Sequence, residues 1–345
     1  MPMLRRRAAL ASALALPFAA GARGADAQAP VVDTHLHCFA GKDDAKFPYH
    51  KDAPYQPADR AAPEHLLTCM ADAGVGYAIV VHPEPYQDDH RYLEHCLSAG
   101  KGKLKGTCLF FAGREGAPDS LKALAKKVPL VAGRIHAYNP DRLPPFGKPE
   151  LKALWKAIGE LGLAVQLHFE PKYAEGFEPL IKEFKDTTVL IDHLGRPFQG
   201  TAREYETVLK WAKLPNVVMK LSSVPDKRTY PHSDPQPVLK QLTEAFGADR
   251  LMYGGGYNEK ATGKSYRGER DRVAEMVPVA VGDEQEVAGG DGRRREWALR
   301  VAEPGVDEDR PAARLDRRAG MAVPGDACVS GRGHRTPPSG SGGSS

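Results

Sequence analysis

The sequence predicts an α/β protein, a (β/α)8 TIM barrel of eight parallel strands, from two observations. Eight short apolar runs recur along the chain, at residues 31–37, 77–83, 104–111, 131–136, 164–169, 188–193, 217–222 and 250–255. The segments between them, such as PEHLLTCMADAG and LKALWKAIGELG, carry apolar residues at three- and four-residue spacing and end at glycine, which is typical of helices. Strand–helix alternation repeated eight times favours a closed parallel barrel. An open doubly wound sheet is the alternative, but no glycine-rich phosphate loop follows the first run.

Residues 1–27 are predicted to be an export signal. Three consecutive arginines at 5–7 precede an apolar stretch at 8–20 that is too short to span a bilayer, and the Ala-Asp-Ala at 25–27 fits a cleavage pattern. The arginines resemble a twin-arginine signal, and an ordinary secretion signal is the alternative. We therefore expect a periplasmic or secreted protein with no membrane anchor once the signal is removed.

The rest of the chain is predicted to divide into a barrel at residues 28–278 and a tail at 279–345. The 345 residues are 41% hydrophobic and 27% charged, as in a soluble protein with a sizeable core. A net charge of +4 is too small and too evenly spread to indicate nucleic-acid binding. The five cysteines are scattered and odd in number, so no disulfide framework is predicted. No pattern indicates the oligomeric state.

Histidines are concentrated where the predicted strands end. In the first run, VVDTHLHCF at 31–39, two histidines are two residues apart and so share one face of a strand. Six of the 12 histidines lie at or near the carboxyl ends of the runs: His35, His37, His82, His136, His168 and His193. In a parallel barrel these ends surround the active-site mouth, and buried imidazoles need partners. The pattern predicts a metal or substrate site at the mouth.

Three motifs resemble the amidohydrolase superfamily: the H-x-H of His35 and His37, QLHFE around His168, and IDHLGRP at 191–197. The nearest resemblance is to the amidohydrolase-related (amidohydrolase 2) lactonases, whose members open pyrone-dicarboxylate, sulfomuconate and sugar-acid lactones. It covers about residues 31–275. It implies that His35, His37, His168 and His193 are catalytic and hold one divalent metal, with zinc as the expected ion. Some members of this branch are thought to work without metal, so metal-free action remains an alternative.

The sequence departs from the family at the end of the eighth run. The family ends this strand with G-S-D-W-P, whose Asp is the general base, whereas GGGYN stands at 254–258 here. Gly256 takes the place of the Asp, and a glycine neither accepts a proton nor ligates a metal. Asp192 is expected to point off the opposite face of its strand from His193, and so not to replace it. Candidate replacements are Glu170, Tyr253, Tyr257 and an unpaired histidine.

Four further residues are predicted to contact the substrate: Arg134, His82, His136 and Tyr257. Arg134 lies two residues before His136 and is expected to share its inward face, where a guanidinium suits a substrate carboxylate. A salt bridge within the barrel is the alternative for Arg134.

The predicted partner is a small carboxylated molecule, and the predicted reaction is hydrolysis of a carboxylated lactone. A decarboxylase of the same superfamily, or a catalytically impaired binder of small organic acids, are the alternatives.

The tail has a different composition from the barrel. From residue 281 onward there is no Lys, Ile, Phe or Tyr and only two leucines, which predicts disorder. We favour a frameshift near residues 277–281, because back-translating 281–300 and shifting by one nucleotide permits SATSKKLLGATAAAVNGL followed by a stop. This amphipathic string resembles the closing helix of the family. The chain is then expected to lack the helix after strand eight and to expose an apolar strip beside strands eight and one. A natural disordered tail is the alternative.

Overall fold

A computed structural model describes residues 30–226 and 233–277, and these form the predicted barrel. Its strands are β1 Val32–Leu36, β2 Tyr77–Val81, β3 Leu104–Leu109, β4 Leu130–Ala137, β5 Ala164–Phe169, β6 Val189–Ile191, β7 Val217–Leu221 and β8 Leu251–Tyr253. They pair in sequence order, each parallel to the next. The predicted fold class is confirmed. The predicted signal at 1–27 and tail at 279–345 lie outside the described residues, so both stay predictions.

A helix follows each strand, and local sequence explains where several of them begin and end. The helices are α1 Pro63–Ala73, α2 Arg91–Ala99, α3 Ala117–Ala125, α4 Pro149–Glu160, α5 Ala174–Glu183, α6 Ala202–Lys210, α7 Gln236–Phe246 and α8 Gly263–Met276. Proline begins α1 and α4, where its missing N–H costs no hydrogen bond, and Gly74 ends α1 in the left-handed conformation. Thr201 and Glu204 form a capping box at α6. No helix in the described part of the chain is both long and apolar enough to cross a bilayer.

The inside of the barrel changes from apolar to polar towards the carboxyl ends of the strands. A small apolar cluster has all its members on strands or directly beside them and fills the barrel, whereas the larger core cluster includes helix residues and lies outside the strands. Ala132, Ala164 and Leu190 belong to the inner cluster. Two residues further along the same three strand segments come the buried polar residues Arg134, Gln166 and Asp192. A polar layer therefore lies between the apolar interior and the mouth.

Side-chain hydrogen bonds join β8 to β1, where the barrel closes. Thr34 Oγ1 donates to the carbonyl of Tyr253 over 2.6 Å, and the N–H of Gly255 donates to Asp33 Oδ1 over 2.9 Å. The hydroxyl of Tyr266, in α8, donates to Asp33 Oδ2 over 2.5 Å. Asp33 therefore ties the first strand to the turn after β8 and to α8.

The expectation that the chain lacks a helix after strand eight is wrong. Helix α8 follows β8 and packs against α1. Thr262 and Ser265 cap its first turn, and its buried side chains are Tyr266 and Val273, two turns apart. Such a narrow apolar face gives a weak periodic signal, which explains why the sequence did not predict this helix. All three residues of β8 are only partly buried.

Candidate active site

Five imidazole rings form a continuous row across the barrel mouth, which we call the histidine band. His37 and His35 come from the end of β1, and their ring centres lie 5.2 Å apart. His35 is 4.6 Å from His193, which follows β6. His193 is 5.1 Å from His168 of β5, and His168 is 5.1 Å from His136 of β4. The structure thus brings His35, His37, His168 and His193 together and adds His136 to them.

Asp192 lies inside the barrel, so the expectation that it points off the opposite face is wrong. It lies two residues after Leu190 of the inner apolar cluster and continues that inward face of β6. The strand ends at Ile191, and His193 then adopts a left-handed conformation with φ of 54°. Strand alternation does not apply beyond the strand, and this turn brings His193 to the mouth beside Asp192. The backbone N–H of His193 donates to Ser222 Oγ over 3.2 Å, which fixes the turn against β7.

Asp192 is the centre of the polar layer beneath the histidine band. Arg134 donates to its Oδ2 through Nε at 2.9 Å and lies within 2.8 Å of it through Nη2. Gln166 Nε2 donates to the same oxygen over 3.0 Å. On the other oxygen, His35 Nδ1 lies 3.2 Å away and Lys220 Nζ 3.9 Å away. Arg134 therefore takes the barrel salt bridge that the sequence left as an alternative to substrate binding.

The opposite charges of the polar layer stabilise one another. Burial alone would raise the pKa of Asp192, but His35 and Arg134 outweigh this effect and hold that pKa well below its usual range. Burial lowers the pKa of Lys220 to about 8, although Asp192 opposes the shift. Burial raises the pKa of Asp33 to about 6. Within the layer, the carboxylate of Asp192 therefore lies between the cations of Arg134 and Lys220, and all three side chains are buried.

The contacts of His35 and His37 indicate which nitrogen of each ring carries the proton. His37 Nδ1 lies 2.7 Å from the carbonyl oxygen of Val81, so Nδ1 carries the proton and donates. The carboxylate of Asp192 favours the proton on His35 Nδ1 in the same way. Both residues therefore present the lone pair of Nε2, which is the form that binds a metal or accepts a proton.

His35, Asp192 and His193 form a candidate metal site. One ligand atom from each lies within 4.8 Å of the others, and two imidazoles with one carboxylate suit zinc. Buried His35 Nε2 has no hydrogen-bond partner, and Asp192 Oδ1 has only its ion-pair contacts with His35 and Lys220. This set contains two of the four predicted ligands. Of the other two, His37 keeps a free Nε2 but does not belong to this set, and His168 Nε2 lies 3.3 Å from Arg196 Nη1.

A first cavity, of about 190 Å³, opens beside His168 and His193. Its other lining residues come from the turn after His193 and the loop after β7, and include Arg196, Phe198, Gln199 and Ser223. Arg196 has φ of 55°, and its guanidinium lies 5.5 Å above the ring of Tyr138. Arg196 is not among the residues predicted from the sequence, although it stands three residues after His193 in the DHLGRP motif. No acidic residue lines this cavity among the described residues, so Arg196 makes it attractive to anions.

Two of the predicted substrate contacts are held away from this cavity. His82 Nε2 lies 2.9 Å from the carbonyl of Gln87, and its ring packs 4.3 Å from that of His90. The hydroxyl of Tyr257 donates to the carbonyl of Ala62 over 2.7 Å. Neither of them lines the first cavity, and both side chains are buried.

A side chain at Gly256 would point towards α8. Gly256 has φ of 95°, a conformation that residues with a side chain rarely adopt. A Cβ placed on it would lie 3.0 Å from the ring of Tyr266, 3.1 Å from the hydroxyl of Tyr253 and 3.2 Å from Glu269 Cβ. An Asp at this position would therefore reach the histidines only after a change in the turn.

We expect this protein to lose stability in mild acid because its buried histidines are neutral. Burial lowers the pKa of His37 to about 3 and those of His90 and His193 to about 4. Between about pH 6.5 and pH 4 the unfolded chain binds protons at these sites and the folded chain does not, so the free energy of unfolding falls as the pH falls. Each of these histidines lowers the free energy of unfolding by about 1.4 kcal/mol per pH unit. Asp33 has the opposite effect, because its raised pKa of about 6 lets the folded chain bind one proton that the unfolded chain does not.

Urea denaturation at pH 7.5, 6 and 5 measures this effect. A free energy of unfolding that stays constant or rises from pH 6 to pH 5 would contradict the neutral state of the three histidines.

Comparison with known proteins agrees with this geometry. The family model described as amidohydrolase matches residues 32–276. A curated L-fucono-1,5-lactonase from Burkholderia ambifaria is 25% identical over 239 residues, covering 65% of this chain and 78% of that protein. A 2-pyrone-4,6-dicarboxylate hydrolase from Comamonas testosteroni is 24% identical over 245 residues, covering 66% of this chain and 76% of that protein.

Solved structures share the fold at low sequence identity. One, described as a probable 2-pyrone-4,6-dicarboxylic acid hydrolase from Acinetobacter baumannii with citric acid bound, has a TM-score of 0.62 and 18% identity, covering 78% of this chain and 99% of that chain. An amidohydrolase from Burkholderia multivorans with bound zinc has a TM-score of 0.60 and 16% identity, covering 79% and 99%. The family match takes in more than half of the chain and the whole histidine band, so this protein belongs to the amidohydrolase family of hydrolytic enzymes.

Proposed function

We propose that this protein hydrolyses a small lactone that carries a carboxylate. The observation that carries the proposal is the histidine band, which places neutral imidazoles along a cavity whose cation is Arg196. Two curated relatives are named as a sugar-acid lactonase and a pyrone-dicarboxylate hydrolase, and a similar fold holds citric acid. These names support a cyclic ester with an acidic group as the substrate class.

The first cavity has the size and charge for such a molecule. A cavity of about 150 Å³ holds a benzene ring, so 190 Å³ suits one six-membered lactone with a small substituent. Arg196 can bind the carboxylate through two parallel N–H donors. The ester carbonyl then lies towards His168 and His193, which line the same cavity.

His193 is the proposed base. Ser222 Oγ lies 2.9 Å from its Nδ1, and with the Nδ1 proton donated to this hydroxyl, Nε2 presents a lone pair. A water molecule attacks the ester carbonyl and gives its proton to Nε2. The C–O bond of the ring then breaks, and the departing oxygen takes this proton. The products on the open chain are a hydroxyl and a carboxylic acid, which ionises to a carboxylate and releases a proton to solvent.

His35, Asp192 and His193 can also hold a metal. A zinc ion bound by His35, His193 and Asp192 would polarise the carbonyl and lower the pKa of a bound water. The zinc-bound amidohydrolase of similar fold supports this ion. Metal-free action, in which the imidazoles alone contact the carbonyl, is the alternative. Zinc held there would occupy a nitrogen of His193, and His37 Nε2 would then be the proton acceptor.

A lactone panel combined with metal analysis tests this function. Purified protein is incubated with L-fucono-1,5-lactone, 2-pyrone-4,6-dicarboxylate and δ-valerolactone, and ring opening is followed by proton release, with bound zinc measured on the same sample. We expect turnover of an acidic or hydroxylated lactone. Release of CO₂ from an acid would show the decarboxylase instead. Calorimetric binding of the acids without turnover would show the impaired binder that Gly256 favours.

Cell fractionation would test export to the periplasm, which stays a prediction.

A further inference from the structure

Two free thiols meet where the loop after β1 packs on α2. Cys38 comes directly after His37, Cys96 lies in α2, and both side chains are buried in the main apolar core. The Cys38 thiol donates a hydrogen bond to the Cys96 sulfur, and this contact, together with burial, raises the pKa of Cys38 well above its usual range. Neither thiol lines the first cavity or the second one, which His136 lines, so neither has a part in the proposed reaction.

Contacts outside the two thiols hold this loop against α2. Phe47 of the loop packs with its ring centre 5.1 Å from that of Tyr92, in α2. The backbone N–H of Ala40 donates to the hydroxyl of Tyr86 over 2.8 Å, and the ring centres of Tyr86 and Tyr92 are 5.4 Å apart. Tyr92 and Cys96 are four residues apart in α2, so they share the helix face that meets the loop. The meeting of the two thiols therefore follows from the packing around them.

The other two cysteines in the described part of the chain are bound elsewhere. Cys69 Sγ donates to the carbonyl of Ala261 over 3.3 Å, and Cys108 Sγ donates to the carbonyl of Ala132 over 3.5 Å. The acceptor in each bond is a backbone oxygen and not a second sulfur. Among the described cysteines, Cys38 and Cys96 are thus the pair that is placed to react together.

We propose that Cys38 and Cys96 form a disulfide when the protein meets a disulfide oxidant, and that this bond ties the loop after β1 to α2. One thiolate attacks the oxidant R–S–S–R and releases the first R–S⁻, and the second thiolate attacks the mixed disulfide and releases the second R–S⁻. The two protein thiols lose two protons and two electrons, and the oxidant becomes two thiols. Export, which is predicted from residues 1–27, would bring the chain to a compartment where such oxidants act.

The bond would also fix the end of β1 that contributes to the histidine band. Cys38 is adjacent to His37, so a link from Cys38 to α2 holds this end of the strand from its outer side. A cross-link from residue 38 to residue 96 restricts the unfolded chain as well, so the oxidised protein should be more stable than the reduced protein.

Tryptic mapping without reduction tests the bond, because the five cysteines lie in five different tryptic peptides. In chain order these are a peptide that ends at Lys42 and the peptides 61–91, 92–101, 106–114 and 319–332. Reduced protein is refolded from urea in an oxidising glutathione buffer at about pH 8, so that burial does not limit access to the thiols, and free thiols are then blocked with iodoacetamide. We expect the peptide of Cys38 to be linked to that of Cys96. A link from Cys38 to Cys69, glutathione alone on both thiols, or two free thiols would overturn the proposal.

Two buried cysteines give matched variants. Cys96→Ala removes one partner, and Cys108→Ala removes a thiol that is equally buried, in β3. We expect Cys108→Ala to form the bond as the wild type does, and Cys96→Ala to leave Cys38 free or carrying glutathione. Oxidation should raise the urea midpoint of the wild type and of Cys108→Ala by about 0.5–1 M and leave that of Cys96→Ala unchanged.

Equal urea midpoints for the oxidised and the reduced wild type would show that the bond does not hold the loop to α2. The peptide map of the wild type needs no variant, so it decides whether the bond forms even where a variant does not fold.

Discussion

Replacing Asp192 by Ala is expected to lower the free energy of unfolding by about 3–5 kcal/mol. This carboxylate is fully buried and neutralises Arg134 and Lys220, which are also buried. Its removal leaves two cations in the barrel interior without their partner, and Gln166 loses its acceptor. Urea denaturation at pH 7.5 measures the change.

Two further variants separate this effect from a general loss of charge. Glu206→Ala removes an exposed i,i+4 pair with Lys210, whose nearest charged atoms are 3.6 Å apart, and should cost less than about 1 kcal/mol. The double variant Asp192→Ala with Arg134→Met should be more stable than Asp192→Ala alone, because one unpaired buried cation is gone. If Asp192→Ala were as stable as the Glu206→Ala control, the polar layer would not hold the barrel together in this way.

Replacing His193 by Ala is expected to lower kcat/KM for the preferred lactone by about 100- to 10,000-fold. This residue is both the proposed base of the first cavity and one of the three candidate metal ligands, so a single substitution removes either route. Zinc content, measured on the same preparation, should fall as well when the metal is part of the site. Steady-state kinetics with the wild-type protein as reference checks the loss.

The control for this substitution is His50→Ala. His50 lies before α1, outside the histidine band, and pairs with the exposed Asp52. It should keep the wild-type rate, and circular dichroism of both variants should show an intact barrel. A His193→Ala variant that keeps its activity would show that another imidazole of the band is the base.

The fold could be read from the sequence because parallel strands buried on both faces appear as continuous apolar runs. All eight predicted runs overlap with strands, from Val32–Leu36 to Leu251–Tyr253. The placement of His35, His37, His136 and His168 near strand ends followed from the same reading, since parallel strands bring their carboxyl ends to one mouth. Helix α8 was missed because only Tyr266 and Val273 mark its buried face.

The sequence by itself thus determined the barrel and the mouth at which the histidines gather, because strand periodicity and strand order are local properties. Only the tertiary structure decided that Asp192 faces inward beside His35, that Arg134 is bound to this carboxylate, and that Arg196 lines the cavity. The two contacts of Asp192 join residues far apart in the chain, and the positions of His193 and Arg196 depend on the left-handed turn after β6. Such a turn breaks the two-residue alternation on which a strand-based reading relies, so the direction of a side chain beyond it is set by packing.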